Sequence, residues 1–281
     1  MTTSMKELTP GKRVEGYFGT RTQVLRASIF LTRKLFFADP QWIIPNIIAP
    51  FIFTLVAFFL FQGETSSSSF LLYLVLGSGL MGMWGTTIYA SANSIGFDRW
   101  NGTMESTLAA PIPLSWIALG RVLFNTFQGV INALLILVIG LAWFRVGFGL
   151  VNPPLFFLAS VGTFLSLSTF GLLMTTLLLL SRKGGFITNS MEIPVYIATG
   201  TMFPVILLPI VYLPFAFMLA PTWGIDAIRL AALPGYIGLP TTYWEDIAIM
   251  AVETLVYVGL AFFLFKRVEA YAKRIGTLEE Y

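Results

Sequence analysis

Six long apolar runs divide the chain, at residues 42–61, 70–92, 122–144, 155–180, 193–213 and 247–265. Each approaches the roughly 20 residues that an α-helix needs to cross the hydrocarbon core of a bilayer. The pattern predicts an all-α integral membrane protein with six transmembrane helices, and an even number of spans returns both termini to one side. Ahead of the first run, Val24, Leu25, Ile29, Leu31, Leu35 and Phe36 gather on one side at helical spacing, with Arg26, Arg33 and Lys34 largely opposite. Such a segment is expected to lie in the membrane interface, held by apolar burial and anionic lipid, before Pro40 turns the chain inward. The alternative is an extension of the first span.

Two runs depart from a plain spanning helix. Ser78, Gly82, Thr86 and Ala90 recur every four residues in the second and leave a ridge of small side chains for close helix packing. The fifth contains Pro194, Gly200, Pro204 and Pro209. Each proline removes a backbone donor that lipid cannot replace, so this run must be sheltered by protein or face water. Residues 213–246 mix apolar pieces with Pro221, Gly224, Pro234, Gly235, Gly238 and Pro240, too broken to span, and are expected as a re-entrant pair of short helices. The expected organisation is therefore a basic N-terminus over 1–41, a transmembrane domain over 42–265 and a tail over 266–281.

Composition agrees with this class: 56% of residues are hydrophobic and 11% charged, too little polar surface to solvate a globule of 281 residues. Charge placement then orients the chain. Of the 17 Lys and Arg, all but Arg145 and Arg229 fall on the side of the termini, which the positive-inside rule makes cytoplasmic in a multi-pass protein of the cell membrane. Trp143, Trp223 and Trp244 are expected near the outer interface, and Trp84 deep inside. No signal peptide is expected, because the first 41 residues are basic and mixed. With neither Cys nor His in the chain, disulfides, thiol nucleophiles, imidazole bases and the usual zinc or haem ligands are excluded.

Between the second and third runs lies a soluble-looking stretch, FDRWNGTMESTLAAPIP, on the cytoplasmic side. Asn101 or Thr103 can cap a helix whose first turn holds Glu105, and Pro111 disfavours helical geometry at Ala110 and ends it. A helix over 102–110 is too short to be stable alone in water, so it is expected to form by docking on a partner. Met104 and Leu108 offer an apolar edge, and Asp98, Arg99 and Glu105 offer charge.

This stretch, followed by ALGRVL, resembles the first cytoplasmic loop of ABC-2 type exporter permeases. In order along the chain, RASIFLTRKLFFADPQWIIPNIIAPFIF resembles that family's interfacial helix and first span, GTMFPVILLP its broken fifth span, and APTWGIDAIRLAAL its outer re-entrant segment. Ala220 and Trp100 depart from the usual pattern. The resemblance implies two facing permease copies above two ATPase subunits, with Asp98, Arg99, Gly102, Thr103, Met104, Glu105 and Leu108 forming a coupling helix that sits in the ATPase. The chain has no G-x-x-x-x-G-K-[ST], so ATP and Mg would be bound by the partner, and this subunit is expected to be no enzyme and to hold no cofactor. Membrane lipids are expected as partners and nucleic acid is not.

Within the spans, Asn125, Gln128 and Asn132 fall at i, i+3 and i+7 and share one helical face. They either line a substrate path or make interhelical hydrogen bonds. Glu253, about 9 Å below the outer end of the sixth run, is an intramembrane carboxylate and a functional candidate by default. Arg145 and Arg229 are its possible partners. Asp226 and Arg229, three residues apart, are expected to brace the re-entrant segment. Efflux of hydrophobic, drug-like or lipid cargo is the first expectation, polysaccharide or teichoic acid export the second, and an ATP-independent transporter using Glu253 the rival of another class.

Overall fold

The computed structural model describes residues 21–38, 68–91, 101–103, 114–145, 149–179, 184–201 and 203–275, with isolated positions at 48, 52, 55, 56, 59, 94, 98 and 107. Among these, all regular structure is helical: α1 (Arg21–Ala38), α2 (Ser68–Trp84), α3 (Leu114–Phe144), α4 (Pro153–Leu179), α5 (Gly184–Ala198), α6 (Leu213–Phe217), α7 (Ala220–Ala232) and α8 (Tyr243–Ile275). A π-helical turn at Gly85–Tyr89 prolongs α2, and a 3₁₀ turn spans Val205–Leu207.

Among the described residues, four helices are long and apolar enough to cross a membrane, over Leu71–Ile88, Leu114–Trp143, Pro153–Leu177 and Tyr243–Val268. They coincide with the second, third, fourth and sixth apolar runs. The first run lies almost wholly outside the described residues. The fifth differs from the expected 193–213: its helix begins earlier, at Gly184, and ends at Ala198. Gly200 ends it by taking a φ of 73°, which L side chains rarely adopt. The Gly200 N–H then reaches back to the Ile197 carbonyl at 3.1 Å and the Thr201 N–H to the Tyr196 carbonyl at 3.2 Å, satisfying the last open acceptors of the helix. Pro204 follows in an extended conformation and prevents resumption.

Close backbone approach joins α2 to α3. A Cβ on Gly129 would lie 2.9 Å from the Met83 carbonyl, one on Gly79 3.2 Å from that of Ala133, and one on Gly140 2.8 Å from Val75. Small residues at these crossings substitute contact for a hydrophobic drive that lipid does not supply. At the centre, the buried Trp84 meets Phe170 edge-on at 5.6 Å, and Phe170 meets Tyr257 at 5.5 Å, tying α2, α4 and α8 together.

The short pair α6 and α7 occupies the segment expected to be re-entrant. All of α7 except Leu230 is buried, because it packs against both α4 and α8. Its C-terminal end is held by Asn152, whose N–H donates to the Ala231 carbonyl at 2.9 Å. Trp143 and Trp244 are exposed as an interfacial belt requires, but Trp223 is not: it is buried and stacks on Phe217 at 5.3 Å. Its position inside a folded-back helix, rather than on a span, removes it from the lipid surface.

The segment expected to be interfacial, α1, docks on the start of α3. Ser28 donates to the Ile117 carbonyl at 2.7 Å, and its Cβ leaves room there only for a glycine, Gly120. Leu31, Leu35, Phe30 and Phe37 remain exposed, so the apolar residues of α1 divide between protein contact and an outward face.

Candidate functional site

Two polar clusters mark opposite ends of the helical bundle. The first is built on α3, where Arg121, Asn125, Gln128 and Asn132 follow one another at intervals of four, three and four and so form a single stripe. All four are buried. Arg121 Nη1 donates to Asp98 Oδ2 at 2.6 Å and to the Ser94 carbonyl at 3.2 Å. Asn125 donates to Ser91 Oγ at 3.2 Å, Asn132 to Thr86 Oγ1 at 2.9 Å, and Gln128 to Asn132 Oδ1 at 3.3 Å. The stripe thus faces the C-terminal half of the second span and the chain leaving it. The amides satisfy one another and their neighbours across this seam.

Asp98 is the node at the loop end of the seam. Its carbonyl accepts the Thr103 N–H at 2.9 Å, and the Thr103 hydroxyl approaches Oδ1 at 3.4 Å. Gly102, exposed and at a φ of 66°, makes the turn between them. The Thr103 carbonyl then accepts the Thr107 N–H at 3.1 Å, which places Thr103 rather than Asn101 at the position of a helix N-cap. Asp98 is therefore turned inward toward α3 and not outward. Arg99, Met104, Glu105 and Leu108 lie outside the described residues. Arg121 was not singled out by its sequence, although its place four residues ahead of Asn125 on the same face is the signal that would have found it.

The second cluster lies where α3 ends and α4 and α8 begin. Arg229 is fully buried; it donates to the Gly200 carbonyl and, at 2.8 Å, to the Thr201 carbonyl. Its guanidinium lies 4.0 Å from the centre of the Tyr73 ring, a cation–π contact. A positive charge at the C-terminal end of α5 is favoured by the helix dipole as well as by these carbonyls. Asp226, one turn earlier in α7, accepts the Tyr236 hydroxyl at 2.8 Å and the Leu239 N–H at 3.1 Å. Burial pushes the Asp226 carboxyl above its usual range, against the opposing pull of those two bonds and of Arg229. The two residues hold α7 to different neighbours, Arg229 to the turn after α5 and Asp226 to Tyr236 and Leu239 beyond α7.

Glu253 stands apart from both clusters. Neither Arg145 nor Arg229 pairs with it, since Arg229 is spent on carbonyls and the ion pair found among the described residues is Asp98 with Arg121. Glu253 Oε2 is buried without a hydrogen-bond partner among the described residues. No group of three or more acidic residues suited to hold a metal occurs among the described residues.

Compared with known families, residues 23–233 match the model of the ABC-2 type transporter. None of the curated proteins compared with the chain matches it.

Proposed function

Because the chain belongs to the ABC-2 type transporter family, and so is a multi-pass membrane permease, we propose that it moves an amphipathic or hydrophobic substrate outward, powered by ATP hydrolysis in a separate nucleotide-binding subunit. In this reading two copies of the permease face one another in the cell membrane with both termini cytoplasmic, and ATP and Mg are bound by the partner. The observation that carries it is the fastening of the loop after the second span. Asp98 is held by Arg121 at 2.6 Å and by the Thr103 N–H at 2.9 Å, which ties the start of the loop to α3. A short helix needs such support or a docking surface, and a rigid knob is what an ATPase can push. Arg99, Met104, Glu105 and Leu108 supply the charge and apolar edge of that knob.

The direct test is capture of the ATPase subunit encoded beside this chain, with vanadate-sensitive hydrolysis in the complex. A chain that captures none and elicits no hydrolysis is not such a permease. Within the complex, Glu105→Lys is expected to impair docking or coupling while the membrane fold stays intact; wild-type transport in that variant removes the role given to the knob.

A second reading, proton-coupled transport without ATP, is supported by the unpartnered Glu253 Oε2. Glu253→Gln separates the two: loss of pH-dependent uptake favours this reading, and undiminished ATP-driven export favours the first. Polysaccharide or teichoic acid export remains within the same family architecture and differs only in cargo.

A further inference from the structure

Arg121 does more than neutralise Asp98. It is the first rung of a polar seam that runs from the loop to the π-helical turn of the second span, through Ser94, Ser91 with Asn125, and Thr86 with Asn132. Elsewhere among the described residues the two helices meet at close glycine crossings, Gly129 against Met83 and Gly79 against Ala133, which carry no side-chain hydrogen bond from α3. Hydrogen bonds between side chains fix register, and a buried ion pair fixes it most firmly, since breaking it strands a charge. A π turn is the point along a helix where register is most easily changed, because one extra residue is already accommodated there.

We infer that Arg121 is a positioning residue that makes the cytoplasmic loop and the base of α3 one mechanical unit, so that displacement of the loop is delivered through the seam to the π turn at Gly85–Tyr89. The inference rests on the permease reading above, and it adds a route by which a push on the loop reaches the membrane interior. Without the pair, Asp98 would reach α3 only through the weaker hydrogen bonds of Ser94, Ser91 and Thr86.

The test uses the full chain with its ATPase subunit in lipid nanodiscs. The chain has no cysteine, so Ala142→Cys at the far end of α3 and Val252→Cys on the exposed face of α8 can carry spin labels without removing native thiols. In the otherwise unaltered chain, ATP with vanadate is expected to change the distance between the labels. Arg121→Gln, a residue outside the ATPase contact, is expected to keep ATPase capture and hydrolysis but to lower the ratio of shifted to unshifted label distances roughly 2- to 30-fold; Asp98→Asn is expected to lower that ratio to a similar extent. The double variant is expected to be no worse than either single one, because both remove one interaction. Arg121→Lys, which keeps the charge, is expected to retain more of the response than Arg121→Gln.

Asn125→Leu breaks the next rung while leaving the buried charges paired, and so reads the seam even where the neutral variants fail to insert. A full distance response in Asn125→Leu or in Asp98→Asn overturns the inference, as do additive losses in the double variant. Those results leave the permease reading standing, because capture and hydrolysis are scored in the same samples. An unaltered chain that captures no ATPase overturns both.

Discussion

The guanidinium of Arg229 lies 4.0 Å from the centre of the Tyr73 ring and donates to the carbonyls of Gly200 and Thr201. One side chain of α7 thereby joins the second span to the end of α5. The carbonyls of Gly200 and Thr201, beyond the break after Ala198, are satisfied by this charge, which is one way an interrupted helix is tolerated in a membrane protein. Gly77 belongs to the same junction, since a Cβ there would strike the Thr201 carbonyl.

Arg229→Met keeps the length and apolar stem but leaves two buried carbonyls without donors. Each charge-assisted bond contributes about 1.5–3 kcal/mol, so a loss on the order of 3 kcal/mol or more is expected. Thermal unfolding of the purified chain in detergent measures it. An unchanged midpoint would show that the junction does not hold the segment together.

Two glycines should respond to alanine in opposite directions. At Gly129 the new methyl would lie 2.9 Å from the Met83 carbonyl, a backbone atom that cannot swing aside, and overpacking of this kind costs about 1–3 kcal/mol. At Gly259, on the exposed face of α8, nothing lies within 4 Å of an added Cβ. Relief of the glycine's excess backbone freedom should there stabilise by about 0.5–1 kcal/mol. Unfolding midpoints of the two variants, compared with the parent, decide whether the α2 and α3 crossing is as close as described.

Asn132→Leu removes the bond to Thr86 and leaves Gln128 without its acceptor. Hydrogen bonds between membrane helices contribute only about 0.6–2 kcal/mol, so insertion and folding should survive with a modest fall in stability. Reconstituted transport, measured beside the unfolding midpoint, distinguishes the two uses of this face. Activity that falls no further than stability assigns Asn132 to packing, whereas a changed cargo preference in a stable chain assigns it to the path.

Docking of α1 depends on a fit between Ser28 and Gly120. Gly120→Leu would place a bulky side chain where the Ser28 Oγ lies, and it should release α1 from α3 while leaving the spans inserted. A spin label introduced by Thr32→Cys, on the part of α1 that packs inward, would report the release as increased mobility; an unchanged spectrum would contradict the docking.

Legibility followed the kind of signal each feature left. The second, third, fourth and sixth spans were readable because an uninterrupted apolar run of membrane length has few alternative conformations. The fifth run misplaced its helix: apolar residues after Gly200 extend the run, but hydropathy does not register that Gly200 reverses the backbone and Pro204 stops it. The polar starting turn from Gly184 was correspondingly overlooked. Asn125, Gln128 and Asn132 were legible as a face, yet a face does not name its partner, and Ser91 and Thr86 on the second span carry no mark of that role. Arg121 was counted only as a cytoplasmic cation by the positive-inside rule. Its burial against Asp98 is a tertiary fact, set by the 23 residues of chain that separate them returning to the same place. Arg229 is one of two possible partners of Glu253 by sequence, and the carbonyls of Gly200 and Thr201 in the turn after α5, a demand invisible in a linear sequence, take it instead.

The five-residue π turn at Gly85–Tyr89 has a geometric consequence for the whole second span. Returning that turn to α-helical winding would displace one residue and rotate everything beyond it by about 100° around the helix axis. Ser91, Ser94 and the chain leading to Asp98 would then be carried off the α3 stripe together, while Gly79 and Met83, on the other side of the turn, kept their crossing. A single local rewinding would thus behave as a swivel, turning the C-terminal end of the span against its partner helix while the N-terminal part stood still.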